Sequence, residues 1–265
     1  MFLWSSPMND LSLVERLCQQ VYFSTRATTP GDLAAMHGIL YYTMKEYVAM
    51  KDPLCQKYDL KAQVETCKKS FLTSLESLHV LAVPSFENII ALALGVSIMS
   101  LFWNRKQLIC ALDPQIIKAQ DDANPLLCCH RVSAAARHCQ MLGFHRESTY
   151  QKWHTEDSDS KRRIFWLVYA FDKNMSLMLG RPSYMQDFDI DVPYPELSSD
   201  PAIRPWDEAF TFTVRLSQIE GEIFNMLYSA AAKKISQFER LARIERLEVD
   251  LQKCHHGRQQ VFQLL

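Results

Sequence analysis

Glycine is scarce in this chain. Its 265 residues include seven, Gly31, Gly38, Gly95, Gly143, Gly180, Gly221 and Gly257. No two fall at the spacing of a dinucleotide fingerprint or a Walker loop, so both glycine-rich phosphate cradles are excluded. A positive charge excess is missing too, with Lys+Arg 29 against Asp+Glu 30 and a net charge of −1. A chain whose main task was to hold nucleic acid or an anionic membrane by itself would show such an excess. The longest hydrophobic run, Ile89 to Trp103, lies between Glu87 and Arg105. A membrane span needs about 20 residues, so this run reads as a buried helix and no membrane partner is expected. The opening residues Met1 to Pro7 lack the basic start and the apolar length of a signal peptide. The eight cysteines are irregularly spaced and form no C-x-x-C pair, which fits reduced thiols inside a cell, most of them small core residues. What remains is 48% apolar and 22% charged, the balance of a folded chain long enough for one large domain or two small ones.

Apolar residues recur at helical spacing. Leu60, Val64, Cys67, Phe71, Leu75 and Leu78 form one stripe, and Leu11, Val14, Leu17, Cys18 and Val21 another. Thr29-Pro30-Gly31-Asp32 reads as a helix entry with Thr29 as cap, continued by Leu33, Met36, Leu40, Met44 and Tyr47 or Val48. Asn124-Pro125 opens a helix that Gly143 ends, and Ser158 or Ser160 caps one that runs to Gly180, with Pro182 just beyond. Two further helices are predicted at about 207–232 and 235–262, the second carrying Phe238, Leu241, Ile244, Leu247 and Leu251. Residues 181–205 contain five prolines and form the longest non-helical stretch. The fold class is all-α, an irregular multi-helix bundle or solenoid-like array of antiparallel helices.

Chemistry finds little purchase. Cys128, Cys129, His130, His138 and Cys139 lie on one helix, where residues ten apart are about 15 Å apart, too far for one zinc ion. They read as core cysteines and surface histidines. Cys254-His255-His256 sits in a polar segment. Asp187, Asp189 and Asp191 imitate the start of a calcium loop, but Val192 stands where its glycine is required. Phe188 and Ile190 then read as anchors pinning the loop to the core. No G-x-S-x-G elbow and no activated cysteine occurs. Lys161-Arg162-Arg163 follows acids at 156, 157 and 159 without an aromatic platform, so Arg162 and Arg163 are expected to pair with the 187–191 acids or to face solvent. No catalytic residue, cofactor site or metal site is expected in this chain.

One stretch says more. Lys161-Arg-Arg-Ile-Phe-Trp-Leu-Val-Tyr-Ala-Phe-Asp172 leads into Leu179-Gly-Arg-Pro182 and then Asp189-Ile-Asp-Val-Pro193. It closely resembles the signature of the fungal-specific transcription factor domain, the middle homology region of fungal zinc-cluster regulators. Ala134 to Arg137, followed by Leu142-Gly-Phe-His-Arg146, is similar to the helix that precedes it, and Pro84 to Leu92 to an earlier one. The resemblance singles out Gly143, His145, Arg146, Arg163, Trp166, Asp172, Gly180, Arg181, Pro182, Asp189, Asp191 and Pro193 as motif residues with structural roles. Asp172 could tie a loop down, and Gly180 supplies the left-handed helix end.

The resemblance implies a regulatory domain controlling transcription in the nucleus, acting by allostery rather than catalysis. It divides the chain into a weakly matched helical part, 1–83, and a core, 84–262, with an insertion at 101–117. That insertion reads as a retained intron or as a genuine surface insertion with its own short helix. Family members carry six cysteines holding two zinc ions and a basic DNA-reading segment. Neither is found in this sequence, so zinc is expected only in the family and DNA contact only indirectly. The expected partners are other transcription-regulator chains or co-regulators, with a small-molecule effector unnamed, and the expected state is a monomer or weak dimer. The chain is then a fragment of a longer regulator or, as the alternative, a free-standing helical interaction module, such as a dominant-negative partner.

Overall fold

The computed structural model describes residues 11–23, 27–78, 83–96, 125–151 and 155–262. It is all-α, with no strand among the described residues. The insertion at 101–117 lies outside them, as do Ser97 to Trp103 of the longest hydrophobic run. Contacts divide the chain into two compact units, Asp10–Leu142 and Gly143–Leu265.

The first unit comprises α1 (Leu11–Phe23), α2 (Pro30–Ala49), the single turn α3 (Leu54–Lys57), α4 (Leu60–Glu76), α5 (86–96) and α6 (Pro125–Met141). α2 packs against α1 and α4. It starts where the sequence places it: Thr29 Oγ1 accepts the Asp32 N–H at 3.1 Å, and Asp32 Oδ2 accepts the Thr29 N–H at 2.9 Å, a reciprocal capping box. Its predicted stripe is displaced. Leu33, Leu40 and Met44 are half-buried and Tyr47 is exposed, whereas Ala34, Ala35, Gly38, Ile39, Tyr41 and Tyr42 join Met36 in the core. The small residues decide this, because they let neighbours close in. A Cβ on Gly38 would stand 2.8 Å from a Leu94 methyl carbon and 3.0 Å from the Phe71 ring. In α5 every residue from Asn88 to Val96 is buried, which is why its sequence shows no polar face there. No helix among the described residues is long and apolar enough to cross a membrane. Thr29→Ala should destabilise this unit by about 1–2 kcal/mol, since the Asp32 N–H loses its acceptor; urea unfolding followed by helical circular dichroism measures it.

The second unit comprises α7 (Glu147–Tyr150), α8 (Thr155–Leu179), a 3-10 turn at Asp187–Asp189, α9 (Arg204–Ile223) ending in a π turn (Phe224–Tyr228), and α10 (Gln237–Phe262). α9 packs against both α8 and α10. α8 begins three residues before the first predicted serine cap, and Ser158 and Ser160 are buried inside it. Ile164 to Ala170 are all buried, so this helix is enclosed on more than one side. α10 differs from its apolar pattern: Leu247 is buried, while Phe238, Leu241, Ile244 and Leu251 are exposed. Its inner side uses polar contacts, Arg243 Nη1 donating to the Met226 carbonyl at 3.1 Å.

Candidate functional site

The motif residues all fall in the second unit, and most converge on the loop that follows α8. Two glycines set the chain directions. Gly143 has φ +74° and Gly180 φ +64°, both in the left-handed region that favours glycine. At Gly180 the Arg181 N–H bonds the Ser176 carbonyl at 3.0 Å and the Gly180 N–H the Leu177 carbonyl at 3.3 Å, which is a Schellman ending. Ser176 Oγ donates to the Arg181 carbonyl as well. Arg181 and Pro182 are exposed, and Pro182 prevents further helix. At Gly143 the Thr149 hydroxyl donates to the carbonyl at 2.8 Å.

From there α8 holds the loop at successive levels. Residues 169, 172, 173 and 176 share one helix face. Asp172 accepts the backbone N–H of Tyr184 at 3.1 Å and of Met185 at 2.8 Å. Burial pushes its carboxyl up, against the pull of these two N–H groups and of Lys173. Lys173 is 1% exposed. Its ammonium donates to the Met185 carbonyl at 2.8 Å, to Asp187 at 2.9 Å and to Ser183 at 3.1 Å. It also lies 5.0 Å from the centre of the Tyr169 ring. The Tyr169 hydroxyl donates to the other oxygen of Asp187, and burial followed by that carboxylate raises its pKa. A Cβ on Gly221 of α9 would stand 2.9 Å from the Lys173 stem, so glycine there makes room for the lysine.

The next level joins the Gly143 turn to the loop. Arg146 pairs with Asp189, the Asp191 N–H donates to the His145 carbonyl at 3.2 Å, and the Glu147 N–H donates to Asp191 at 2.8 Å. Further along, the Trp166 indole N–H donates to the Pro193 carbonyl at 3.0 Å and its ring lies 4.9 Å from that of Tyr194. Arg163 closes the last level. It binds Asp159 at 2.5 Å, Asp207 of α9 at 2.6 Å and the Glu196 carbonyl at 3.0 Å. Asp207 also accepts the Ser198 N–H at 2.7 Å. Burial alone would lower the Arg163 pKa, but the bonds to Asp159 and Asp207 outweigh it and raise it.

Several expectations need correction. Arg163 pairs with Asp159 and Asp207, and Arg162 lies over the Tyr150 ring at 4.9 Å and 3.8 Å from Glu147; neither pairs with the 187–191 acids, of which Lys173 and Tyr169 hold Asp187, Arg146 holds Asp189 and the Glu147 N–H holds Asp191. Phe188 is 89% exposed and anchors nothing. The buried anchor is Met185, because the 3-10 turn directs Asp187 and Asp189 toward their cations and thereby turns Phe188 outward. His138 is buried rather than a surface histidine. Sequence reasoning also misses Lys173, Tyr169, Met185 and Asp207. Lys173 carries a usable signal, a cation one helical turn from Tyr169 just past the apolar run Ile164 to Phe171. Asp207 carries none, since its role depends on where α9 lands.

Among the described residues no three His, Cys, Asp or Glu side chains are grouped to hold a metal ion. Burial pushes the Cys128 and Cys139 thiols up, away from the thiolate form that binds metal or attacks substrates. Asp187, Asp189 and Asp191 each have a protein donor. The arrangement clamps a proline-rich loop to one long helix, and that defines a helical scaffold domain built to fix a loop in place.

The profile of the fungal specific transcription factor domain matches residues 122–256, just over half the chain, and the chain belongs to that family. An uncharacterized transcriptional regulatory protein of Schizosaccharomyces pombe is 34% identical over 129 residues, covering 45% of this chain and 17% of the relative. An ABC-transporter-regulating transcription factor of Aspergillus fumigatus is 30% identical over 143 residues, 50% of this chain and 16% of the relative. A second uncharacterized regulatory protein of S. pombe is 37% identical over 106 residues, 39% of this chain and 16% of that protein. The matched stretch thus spans about a sixth of the length of these relatives. No solved structure matches the chain. The family and these relatives are named for transcription regulation.

Proposed function

We propose that this chain acts in the nucleus as the regulatory part of a zinc-cluster-type transcription factor, with the DNA reader carried by other residues than these. It carries no catalytic step of its own. The observation that supports this is the coincidence of the family match with the clamped loop. The matched residues include α8 and α9, which pack together and bond residues 181–198, and such a frame can pass a binding event on one face to another by shifting as a body. Other regulator chains or co-regulators are the partners that fit, and DNA is reached through them. The near-neutral charge, with Lys+Arg 29 against Asp+Glu 30, agrees with that indirect role.

The test places the full chain between a heterologous DNA-binding domain and an activation domain in a fungal reporter strain. The expected result is a reporter output changed by the inserted chain and returned to the parental level when Arg163→Ala breaks the clamp. An output equal to the parental fusion in both cases would overturn the reading. The interaction-module alternative is separated by expressing the chain untethered. It predicts lowered output from a co-expressed longer relative, which the regulatory reading does not require.

A further inference from the structure

We propose that the junction between residues 143–147 and 187–191 is an acid-released latch, closed while the His145 imidazole is neutral and loosened when it is protonated. This rests on the geometry of the junction alone and stands or falls independently of the regulatory reading.

Three contacts make the latch: Arg146 with Asp189, the Asp191 N–H on the His145 carbonyl, and the Glu147 N–H on Asp191. The His145 side chain sits between them, 14% exposed. Its Nδ1 is buried with no hydrogen-bond partner, and its Nε2 is 3.7 Å from Asp189, too far for a hydrogen bond. A neutral ring can leave Nδ1 as a bare lone pair, whereas an imidazolium carries an N–H at both nitrogens. Protonation therefore places a donor where no acceptor waits, and a second positive charge beside Arg146. Asp189 and Asp191 attract that charge, but both are already engaged, by Arg146 and by the Glu147 N–H. Glu147 and Arg162, on the neighbouring α7 and α8, face each other at 3.8 Å.

Burial first, and Arg146 second, hold the His145 pKa below its usual 6.5, against the pull of Asp189 and Asp191. The sign follows from linkage. A histidine kept neutral by the fold contributes its full stabilisation above the free-histidine range and loses it as the pH falls through that range toward the lowered value. The latch is thus tight at neutral pH and loosens below about 6.5.

Hydrogen exchange on the full chain at pH 7.5 and 5.5, corrected for intrinsic exchange, reads the latch at the amides of Glu147 and Asp191. Protection there should fall about three- to tenfold at the lower pH while the α8 core amides stay protected, and His145→Gln should abolish the pH dependence. Unchanged wild-type protection, or the same loss in the glutamine variant, would overturn the proposal. A second measurement needs no variant. The imidazole Cε1–H resonance of His145 should titrate with a midpoint below 6.5, and a midpoint at or above that value also overturns it.

Discussion

Replacing Arg163 by Ala will destabilise the Gly143–Leu265 unit by about 3–5 kcal/mol, the cost typical of stranding a buried charge. The reason lies in what is left behind. Asp207 is nearly enclosed, at 4% exposure, and Arg163 is its cation; without it the carboxylate keeps only the Ser198 N–H. Asp159, half exposed at the helix surface, turns to water at little cost. The Glu196 carbonyl also loses its donor, so residues 196–198 should loosen before the helices do. The double variant Arg163→Met, Asp207→Asn replaces the pair by neutral groups of similar size and should lose distinctly less than the sum of its single variants. Urea unfolding followed by tryptophan fluorescence measures both. Additive losses would show that the two side chains do not act as a unit.

The second large effect is asymmetric across one ion pair. Asp187→Ala leaves the Lys173 ammonium, 1% exposed, with a carbonyl, a hydroxyl and the Tyr169 ring but without the carboxylate it is bonded to, and with only the longer-range attraction of Asp172. A loss of about 2–3 kcal/mol is expected, below the value for a fully buried pair because Asp187 is itself 47% exposed and water already screens it. Lys173→Met removes the charge, keeps the stem that lies against Gly221, and frees Asp187 to face solvent. Its expected loss is about 1–2 kcal/mol, mainly from the Lys173 bond lost at the Met185 carbonyl, which keeps the Ser183 hydroxyl as its donor. The order of the two variants matters more than either value. Thermal unfolding in parallel samples decides it, and a methionine variant less stable than the alanine variant would contradict the assignment of Lys173 as the buried member of the pair.

Legibility varies with the kind of interaction. Local chemistry is readable: the Thr29 cap, the glycine ending at Gly180 and the apolar enclosure of Ile164 to Ala170 each depend on residues within a turn or two of one another. Faces are read less well. On α2 the large apolar residues suggest one stripe, but the small residues Ala34, Ala35 and Gly38 form the closest contacts, because neighbouring helices approach where side chains are shortest. On α10 the apolar residues suggest a buried row, yet that helix meets α9 through Leu247 and Arg243. The resemblance locates the residues of the clamp without their partners. For Arg163 the sequence suggests acids 24 to 28 positions away, whereas the structure pairs it with Asp207, 44 positions away.

Period, caps and the order of short signals along the chain suffice to specify the helices, their punctuation and, through one motif, the family. Which carboxylate meets which cation depends instead on how the helices pack. Asp187, Asp189, Asp191 and Asp207 are chemically alike, and what distinguishes them is the direction in which a 3-10 turn or the first turn of α9 points each one. The same packing turns Phe188 outward and Met185 inward, because Asp187 and Asp189 on either side of Phe188 take up the cations.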